Sequence, residues 1–313
     1  AFDYDGDGDQ DLYLANDFGA NPLLSNDGKG NFVDVAAAVG AADRGSGMNV
    51  SFSDIDADGT FDVLVTNIDM FSKTVKVVFP QDESLVDLDE RVLRAFQYLS
   101  GNKLYSVGRD ASDQVRFSAV EGTWFEPGDR GWGWAAPFFD YEGDGDEDLY
   151  LVNGWIPKSP ADHQRNQMLL RDGTTFYLAP QTSGEAFAGN SRAVAVLDAD
   201  GDGDLDLAVA GFQEPPRLLR NEQRGGNFIG VRLVGKGGNT RGIGAVVELA
   251  AAGLPVQRRL VTCGIGYLGQ DDGVARFGLG RAKTASVVVR WPGGAKQRVD
   301  DAKAGTVLEV TAP

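Results

Sequence analysis

The sequence contains very few of the residues on which common catalytic and redox sites depend. Cys263 is its single cysteine, so the chain can form neither an internal disulfide nor a redox centre built from a cysteine pair. His163 is its single histidine, and no Ser-His-Asp or Cys-His arrangement exists unless His163 serves it. No run reaches the roughly 18 apolar residues of a membrane-spanning helix. We therefore expect no transmembrane segment and no enzyme.

Positive charge is also scarce, with 29 Lys and Arg against 46 Asp and Glu and a net charge of −17 at pH 7. Such a chain repels the phosphates of nucleic acids and of anionic membranes, so we predict neither as a partner. A hydrophobic fraction of 42% indicates a folded, soluble protein, and 313 residues suggest two domains. No signal peptide heads the chain, which means little because the chain begins inside a repeat.

Four acidic nonapeptides hold twenty of the 46 acidic residues: residues 3–11, 54–62, 140–148 and 198–206, called loops 1 to 4 below. Every loop has a carboxylate at its first, third, fifth and ninth positions and a glycine at its sixth. The predicted metal ligands are Asp3, Asp5, Asp7, Asp9 and Asp11 in loop 1; Asp54, Asp56, Asp58, Thr60 and Asp62 in loop 2; Asp140, Glu142, Asp144, Asp146 and Asp148 in loop 3; and Asp198, Asp200, Asp202, Asp204 and Asp206 in loop 4.

Carboxylates this crowded repel one another unless a cation lies among them. Oxygen ligands at alternate positions suit Ca²⁺ before Mg²⁺, and the glycine allows the bend that turns the carbonyl of the seventh position inward. An EF-hand would carry Glu at the twelfth position, where this chain has Leu14, Val65, Leu151 and Val209. Acidic surface turns without an ion are the alternative. Four copies in one register favour about four Ca²⁺ ions, with loop 2 the weakest candidate because Thr60 replaces an acid.

Short apolar, β-prone runs follow each loop, and further strand and turn patterns recur between the loops. Each unit is predicted to contain four antiparallel strands, which is typical of the blades of a β-propeller. We therefore predict an all-β protein: a partial propeller over residues 1–226 and a small β-sandwich over residues 227–313. Since the first residues already belong to a repeat, we expect an incomplete propeller with exposed apolar faces.

Two segments between the loops allow more than one interpretation. Apolar residues at helical spacing predict a helical insertion near residues 82–100, either packed on its own propeller or bound to a partner. Trp132, Trp134 and Trp155 predict either packing between blades or an aromatic platform for a sugar or peptide. His163 is interpreted as a solvated loop residue rather than a catalyst.

The four loops resemble the FG-GAP or VCBS repeats of integrin α-subunit propellers and of many bacterial surface proteins. The last part of the chain resembles the ASPIC/UnbV domain in residues 227–233, 239–245, 277–280 (Phe-Gly-Leu-Gly) and 291–294 (Trp-Pro-Gly-Gly). The combination is similar to that of the cartilage acidic protein 1-like family, in its bacterial form. Gly269 and Gly293 stand where this resemblance leads us to expect Ser. Seven blades are common in the family, which implies about three N-terminal blades supplied by upstream sequence or by another chain.

The resemblance and the loops together predict a non-catalytic, calcium-rigidified binding module that is extracellular, at the cell surface or periplasmic. Its expected partner is a protein or another extracellular ligand, in an adhesive or other protein–protein interaction, and a glycan is an alternative. The other hypotheses are an accessory subunit of a secreted enzyme or redox complex, and a lectin-like propeller. The lectin hypothesis depends only on the tryptophans.

Overall fold

The computed structural model describes residues 1–17, 19–68, 101–120, 131–154, 164–180, 186–223, 226–264 and 266–313. Within these ranges the protein consists of short strands, almost all antiparallel, and one short α-helix, so the predicted all-β class is confirmed. None of the described residues form a helix long and apolar enough to span a membrane. The predicted helix near residues 82–100, Trp155 and His163 lie outside the described residues.

The first two sheets differ in how completely they form. The first contains β1 (Leu12–Tyr13), β2 (Leu23–Asn26) and β3 (Phe32–Asp34), and α1 (Ala36–Val39) follows it. A single bridge between Phe2 and Asp11 stands where a fourth strand was predicted. The second contains all four predicted strands, β4 (Gly47–Ser53), β5 (Asp62–Asn67), β6 (Lys103–Arg109) and β7 (Val115–Ala119), in that order.

The third and fourth sheets also depart from four continuous strands. The third region contains β8 (Gly133–Ala135), β9 (Phe138–Phe139), β10 (Asp148–Asn153), β11 (Gln164–Arg165), β12 (Gln167–Asp172), β13 (Thr175–Leu178) and β14 (Ala188–Gly189). Its first strand is divided into β8 and β9, which both pair with β10, while β11 pairs with β14. The fourth sheet has three strands, β15 (Ser191–Leu197), β16 (Asp206–Gly211) and β17 (Glu214–Leu219), because the chain then leaves for the C-terminal sheets.

The four sheets stack face to face, with one apolar cluster between each neighbouring pair. β5 shows how the sequence achieves this, since successive side chains of a strand point to opposite faces. Val63 and Val65 pack toward the first sheet, and Leu64 packs toward the third. All six residues of β5 and all six of β10 are therefore buried. This stacking is that of propeller blades.

Exposed apolar side chains lie on the first and fourth sheets. Val33 is 65% exposed in β3, and Leu218 is 58% exposed in β17. Tyr177 of the third sheet is 50% exposed as well, so exposed apolar side chains are not confined to the two outer sheets. The incomplete propeller and its further blades stay predictions.

An asparagine pair closes each of the first three sheets at the end opposite its acidic loop. The Asn21 side-chain oxygen accepts the backbone N–H of Asn16 at 2.8 Å. The same bond joins Asn102 to Asn67 at 2.8 Å and Asn166 to Asn153 at 2.9 Å. Because a buried backbone N–H needs an acceptor, this bond fixes the turns that follow β1, β5 and β10.

The C-terminal region forms two sheets from β18 (Asn227–Val234), β19 (Val246–Ala251), β20 (Gln257–Leu260), β21 (Val274–Gly280), β22 (Thr284–Arg290), β23 (Lys296–Lys303) and β24 (Thr306–Thr311). The strand orders are β21-β18-β24 and β20-β19-β22-β23, and β18 and β24 are parallel. Side chains such as Ile229, Val247, Phe277 and Val287 form one shared core. The predicted sandwich is confirmed, and these two sheets are called the C-terminal sandwich below.

Candidate metal centres

The sixth-position glycine of every acidic loop has a backbone conformation that L side chains rarely adopt. Gly8, Gly59, Gly145 and Gly203 have φ between 98° and 102°. Three loops also have glycine at the fourth position with positive φ, whereas loop 2 has Ala57 there at φ 59°. The sharp bend expected from the glycine pattern is present in all four loops.

The ninth-position aspartate connects its loop to the third strand of its four-strand unit, which is β2, β6, β12 or β17 in the four sheets. Asp11, Asp62, Asp148 and Asp206 are all at most 3% exposed. One carboxylate oxygen accepts the N–H of the loop's second residue, at 2.8–3.1 Å across the four loops. The other oxygen accepts an N–H at or just after the third strand, from Asn26, Val107, Arg171 or Asn221 at 2.8–2.9 Å. Each oxygen keeps a second lone pair that can face a cation.

The structure brings three carboxylates together in three of the loops. In loop 1 these are Asp3, Asp5 and Asp11, and in loop 4 the equivalent Asp198, Asp200 and Asp206. In loop 2 they are Asp54, Asp56 and Asp58, from the first, third and fifth positions. The ligand oxygens of each group lie within 4.8 Å of one another. Among the described residues, loop 3 forms no such group.

The fifth-position aspartates mainly shape the loop. Asp7, Asp58, Asp144 and Asp202 each accept the N–H of the seventh residue, at 2.7–3.1 Å. All four are exposed. The predicted seventh-position ligands Asp9 and Asp146 each have one buried carboxylate oxygen without a hydrogen bond. Positions one, three and nine form the inner part of loops 1 and 4, and position five lies outside it.

Burial raises the pKa of several loop carboxyl groups. It raises the pKa of Asp11 to about 6 and that of Asp62 to about 7. In loop 3 burial raises the pKa of Asp140 to about 7 and that of Asp148 to about 9, where the nearby Glu142 carboxylate adds to the effect. A bound cation would supply the charge that these sites need to stay ionised near neutral pH.

The donor set therefore fits a hard cation. Every predicted side-chain ligand is an oxygen, the clustered groups converge, and two buried carboxylate oxygens accept no hydrogen bond. Oxygen-only sites with several carboxylates are those that Ca²⁺ occupies in proteins. Positions one, three and nine in loops 1 and 4 are the residues best placed to hold one.

Two arginines beside the loops were not identified from the sequence. Arg258 and Arg259 are neighbours in β20 of the C-terminal sandwich. The Arg258 Nη1 lies 2.6 Å from Asp54 Oδ2 of loop 2, and the Arg259 Nε lies 2.9 Å from Glu147 Oε1 of loop 3. Asp54 precedes Arg258 by 204 positions, and no local pattern marks a contact across that separation.

The described tryptophans pack against other parts of the chain. The rings of Trp132 and Trp134 are parallel, with centroids 5.9 Å apart. Arg192 lies 4.2 Å over the Trp134 ring, Tyr267 lies 4.8 Å from it, and Trp134 Nε1 donates to the Gly154 carbonyl at 2.9 Å. These contacts use the surfaces of Trp134 that a sugar would need, which favours packing over a ligand platform.

Known families match both parts of the chain. The ASPIC and UnbV family matches residues 235–313, and the FG-GAP-like repeat family matches residues 3–65 and 140–209. The first repeat match contains loops 1 and 2, and the second contains loops 3 and 4.

Two related proteins are similar along most of the chain. Cartilage acidic protein 1 of Xenopus tropicalis is 25% identical and that of Mus musculus 27% identical, each over 97% of this chain. The chain spans 43% of the length of these curated relatives. Among solved structures, the match to a pilus backbone protein of group B streptococcus covers 67% of this chain and 91% of that protein's chain, at 10% identity. Its TM-score of 0.18 is too low to support an argument.

Proposed function

Because this chain carries FG-GAP-like repeats and an ASPIC and UnbV domain and is homologous to cartilage acidic protein 1, we propose that it is a non-catalytic, calcium-rigidified binding module outside the cytoplasm. The expected location is extracellular, at the cell surface or periplasmic, and the expected partner is a protein or another extracellular ligand. The observation that carries the proposal is the ninth-position aspartate, which joins each loop to its sheet from a buried position.

The side chains of each loop have complementary tasks under this proposal. The ninth-position aspartate attaches the loop to the third strand, as Asp206 does through the N–H groups of Ala199 and Asn221. The first-position and third-position carboxylates converge on it in loops 1 and 4. A bound calcium ion would supply the positive charge that keeps these carboxylates together, at oxygen distances of about 2.3–2.6 Å. The ions would thereby stiffen the loop edge of each sheet, and the stacked sheets would be rigid enough to present a binding surface elsewhere.

Extracellular calcium suits sites of this kind. Extracellular modules bind calcium with dissociation constants of about 10⁻⁴–10⁻³ M, close to its concentration outside cells. The loops have exposed outer carboxylates such as Asp7 and Asp202, so an ion can enter from solvent. We therefore propose ions with a structural task, held wherever calcium is abundant.

A calcium titration of the chelator-treated full-length protein tests this proposal. Calorimetry should detect several ions at micromolar to millimolar calcium, and saturation should raise the melting temperature because the ions bind the folded state. Magnesium at the same concentration is the control and should give a smaller shift, since its octahedral geometry at about 2.1 Å suits these loops less well. A melting curve that neither calcium nor EDTA changes would rule out the structural task.

A further inference from the structure

The C-terminal sandwich packs against all four acidic loops. In loop 1 Gln10 lies against Gly244, and in loop 4 the backbone of Gly203 lies against the Phe228 ring, where a Cβ would collide. In loop 3 the N–H of Gly278 donates to Asp140 Oδ2 at 3.0 Å, and the N–H of Gly280 donates to the Gly143 carbonyl at 3.0 Å. The loop edge of the repeats is therefore also an interface within the chain.

Strand β20 lies between loops 2 and 3 and brings a positive charge to each. Consecutive side chains of a strand point in opposite directions, so its two arginines reach different loops. Arg258 contacts Asp54 in loop 2, and Arg259 contacts Glu147 in loop 3, at 2.6 and 2.9 Å. Asp54 and Glu147 are at most 7% exposed, so both ion pairs are shielded from water.

The two arginines engage different positions of their loops. Asp54 is a first-position ligand, whereas Glu147 stands at the eighth position, which the calcium pattern does not use. The Arg258 guanidinium also lies beside Gly59, the bend residue of loop 2. Glu248 holds Arg258 from the other side, with 3.5 Å between Glu248 Oε1 and Arg258 Nε. Arg258 thus makes an ion pair with a predicted ligand, whereas the ion pair of Arg259 is with a residue outside the predicted ligand set.

Loop 2 is also the least acidic of the four. It has four carboxylates and Thr60 at the seventh position, where the other loops have Asp. Its converging group leaves out the ninth-position Asp62, unlike those of loops 1 and 4. A guanidinium on a first-position carboxylate both satisfies the negative charge and repels a second cation.

We propose that Arg258 takes the place of the calcium ion in loop 2, so that docking of the C-terminal sandwich neutralises this loop. The inference rests on the proposed function, because it assumes that the other loops hold calcium. It refines the expected count by assigning one of the four predicted sites to a side chain. It also makes Arg258 a fixed link between the sandwich and the repeats.

Two matched substitutions at the third position show whether loop 2 holds a calcium ion or is neutralised by Arg258 instead. The substitutions are Asp5→Asn in loop 1 and Asp56→Asn in loop 2. In the wild-type protein these two aspartates accept the N–H of the fifth residue at 3.3 and 3.2 Å, and Asn keeps a side-chain oxygen for that bond. Bound calcium is counted by equilibrium dialysis of the full-length protein against ⁴⁵Ca at about 1 mM calcium, the upper end of the dissociation constants of extracellular calcium modules. Asp5→Asn should lower the count by about one ion relative to wild type, and Asp56→Asn should leave it unchanged.

Arg258→Gln provides the converse measurement. Removing the guanidinium should raise the calcium count by about one, because loop 2 then needs a cation. Arg298→Gln is the control, since Arg298 is exposed and, within the described part of the chain, bonds to Asp300 and Ser286 and not to an acidic loop. Loss of an ion in Asp56→Asn, or an unchanged count in a folded Arg258→Gln, would overturn the assignment. If Arg258→Gln does not fold, the Asp56→Asn result decides alone. A wild-type protein that binds no calcium would instead overturn the proposed function.

Discussion

The repeats and the C-terminal sandwich hold their sheets together by different means. The sandwich encloses one apolar core between two sheets, with buried side chains such as Val247, Leu249 and Val287. The repeats divide their apolar side chains among three clusters between neighbouring sheets, and each sheet has an acidic loop at one edge. A single core is complete without an ion, whereas clustered carboxylates oppose folding until a cation is bound. Stability of the repeats should therefore depend on calcium, and stability of the sandwich should not.

Removing calcium should have the largest effect and should separate the two regions. At a calcium concentration 1 to 10 times the dissociation constant, each ion stabilises the folded state by about 0.4–1.4 kcal/mol, so the loss of several ions removes a large part of the stability of the repeats. Hydrogen exchange measured by mass spectrometry should show faster exchange in β5, β10 and β16 after EDTA treatment. Strands β18, β19 and β22 should keep most of their protection.

The sandwich strands that contact the repeats should show an intermediate loss of protection after EDTA treatment. β20 and β21 touch loops 2 and 3, so their amides should respond more than those of β22. Equal loss of protection throughout both regions would show that they unfold as one unit and that the sandwich depends on calcium as much as the repeats do. Readdition of calcium is the control and should restore the original pattern.

Much of the repeat region could be predicted because two sequence signals coincide there. The Asp pattern marks each loop, and the apolar run that follows marks a buried strand such as Asp148–Asn153. The fourth sheet was predicted with four strands and has three. The repeat pattern specifies a unit but not the point at which the chain leaves the last unit, and after β17 the chain continues into β18 of the C-terminal sandwich.

The sandwich was harder to predict in detail. Strand Val274–Gly280 has a weak strand signal in the sequence, because its glycines lower its apparent strand propensity. Gly278 lies in close contact with Asp140 and Gly143 of loop 3, so the structure needs a residue without a side chain there. Strand Lys296–Lys303 has no apolar pattern in the sequence, since most of its residues are charged or polar and face solvent. Contacts between distant segments decide both strands, and local patterns do not record them.

A smaller effect distinguishes the two tasks of the loop carboxylates. With chelator present, Asp206→Asn should destabilise the protein by about 1–3 kcal/mol, since one of two buried N–H groups loses its acceptor. Asp202→Asn should change stability by less than about 0.5 kcal/mol, because Asp202 is exposed and the new side chain keeps the acceptor oxygen for Asp204. Urea denaturation of both variants in EDTA measures the difference. Similar losses would show that the ninth position has no structural task apart from the ion.

The smallest expected effect concerns the fourth position of loop 2, where the repeats differ among themselves. Ala57 has φ 59°, while Gly6, Gly143 and Gly201 occupy the same position in the other loops with φ of 70–81°. A side chain in this region costs roughly 1–2 kcal/mol, which exceeds the entropic cost of glycine. Ala57→Gly should therefore stabilise the protein by about 0.5–1 kcal/mol in urea denaturation.

The control applies the same substitution in the C-terminal sandwich. Ala250 lies within the extended strand β19, where glycine has no conformational advantage and loses more entropy on folding. Ala250→Gly should therefore destabilise the protein by about 0.5–1 kcal/mol, opposite in sign to Ala57→Gly. If both substitutions destabilise, loop 2 accommodates Ala57 without strain and does not share the backbone requirement of the other three loops. Opposite signs would show that one backbone conformation is imposed on all four loops, including the loop in which Arg258 replaces the ion.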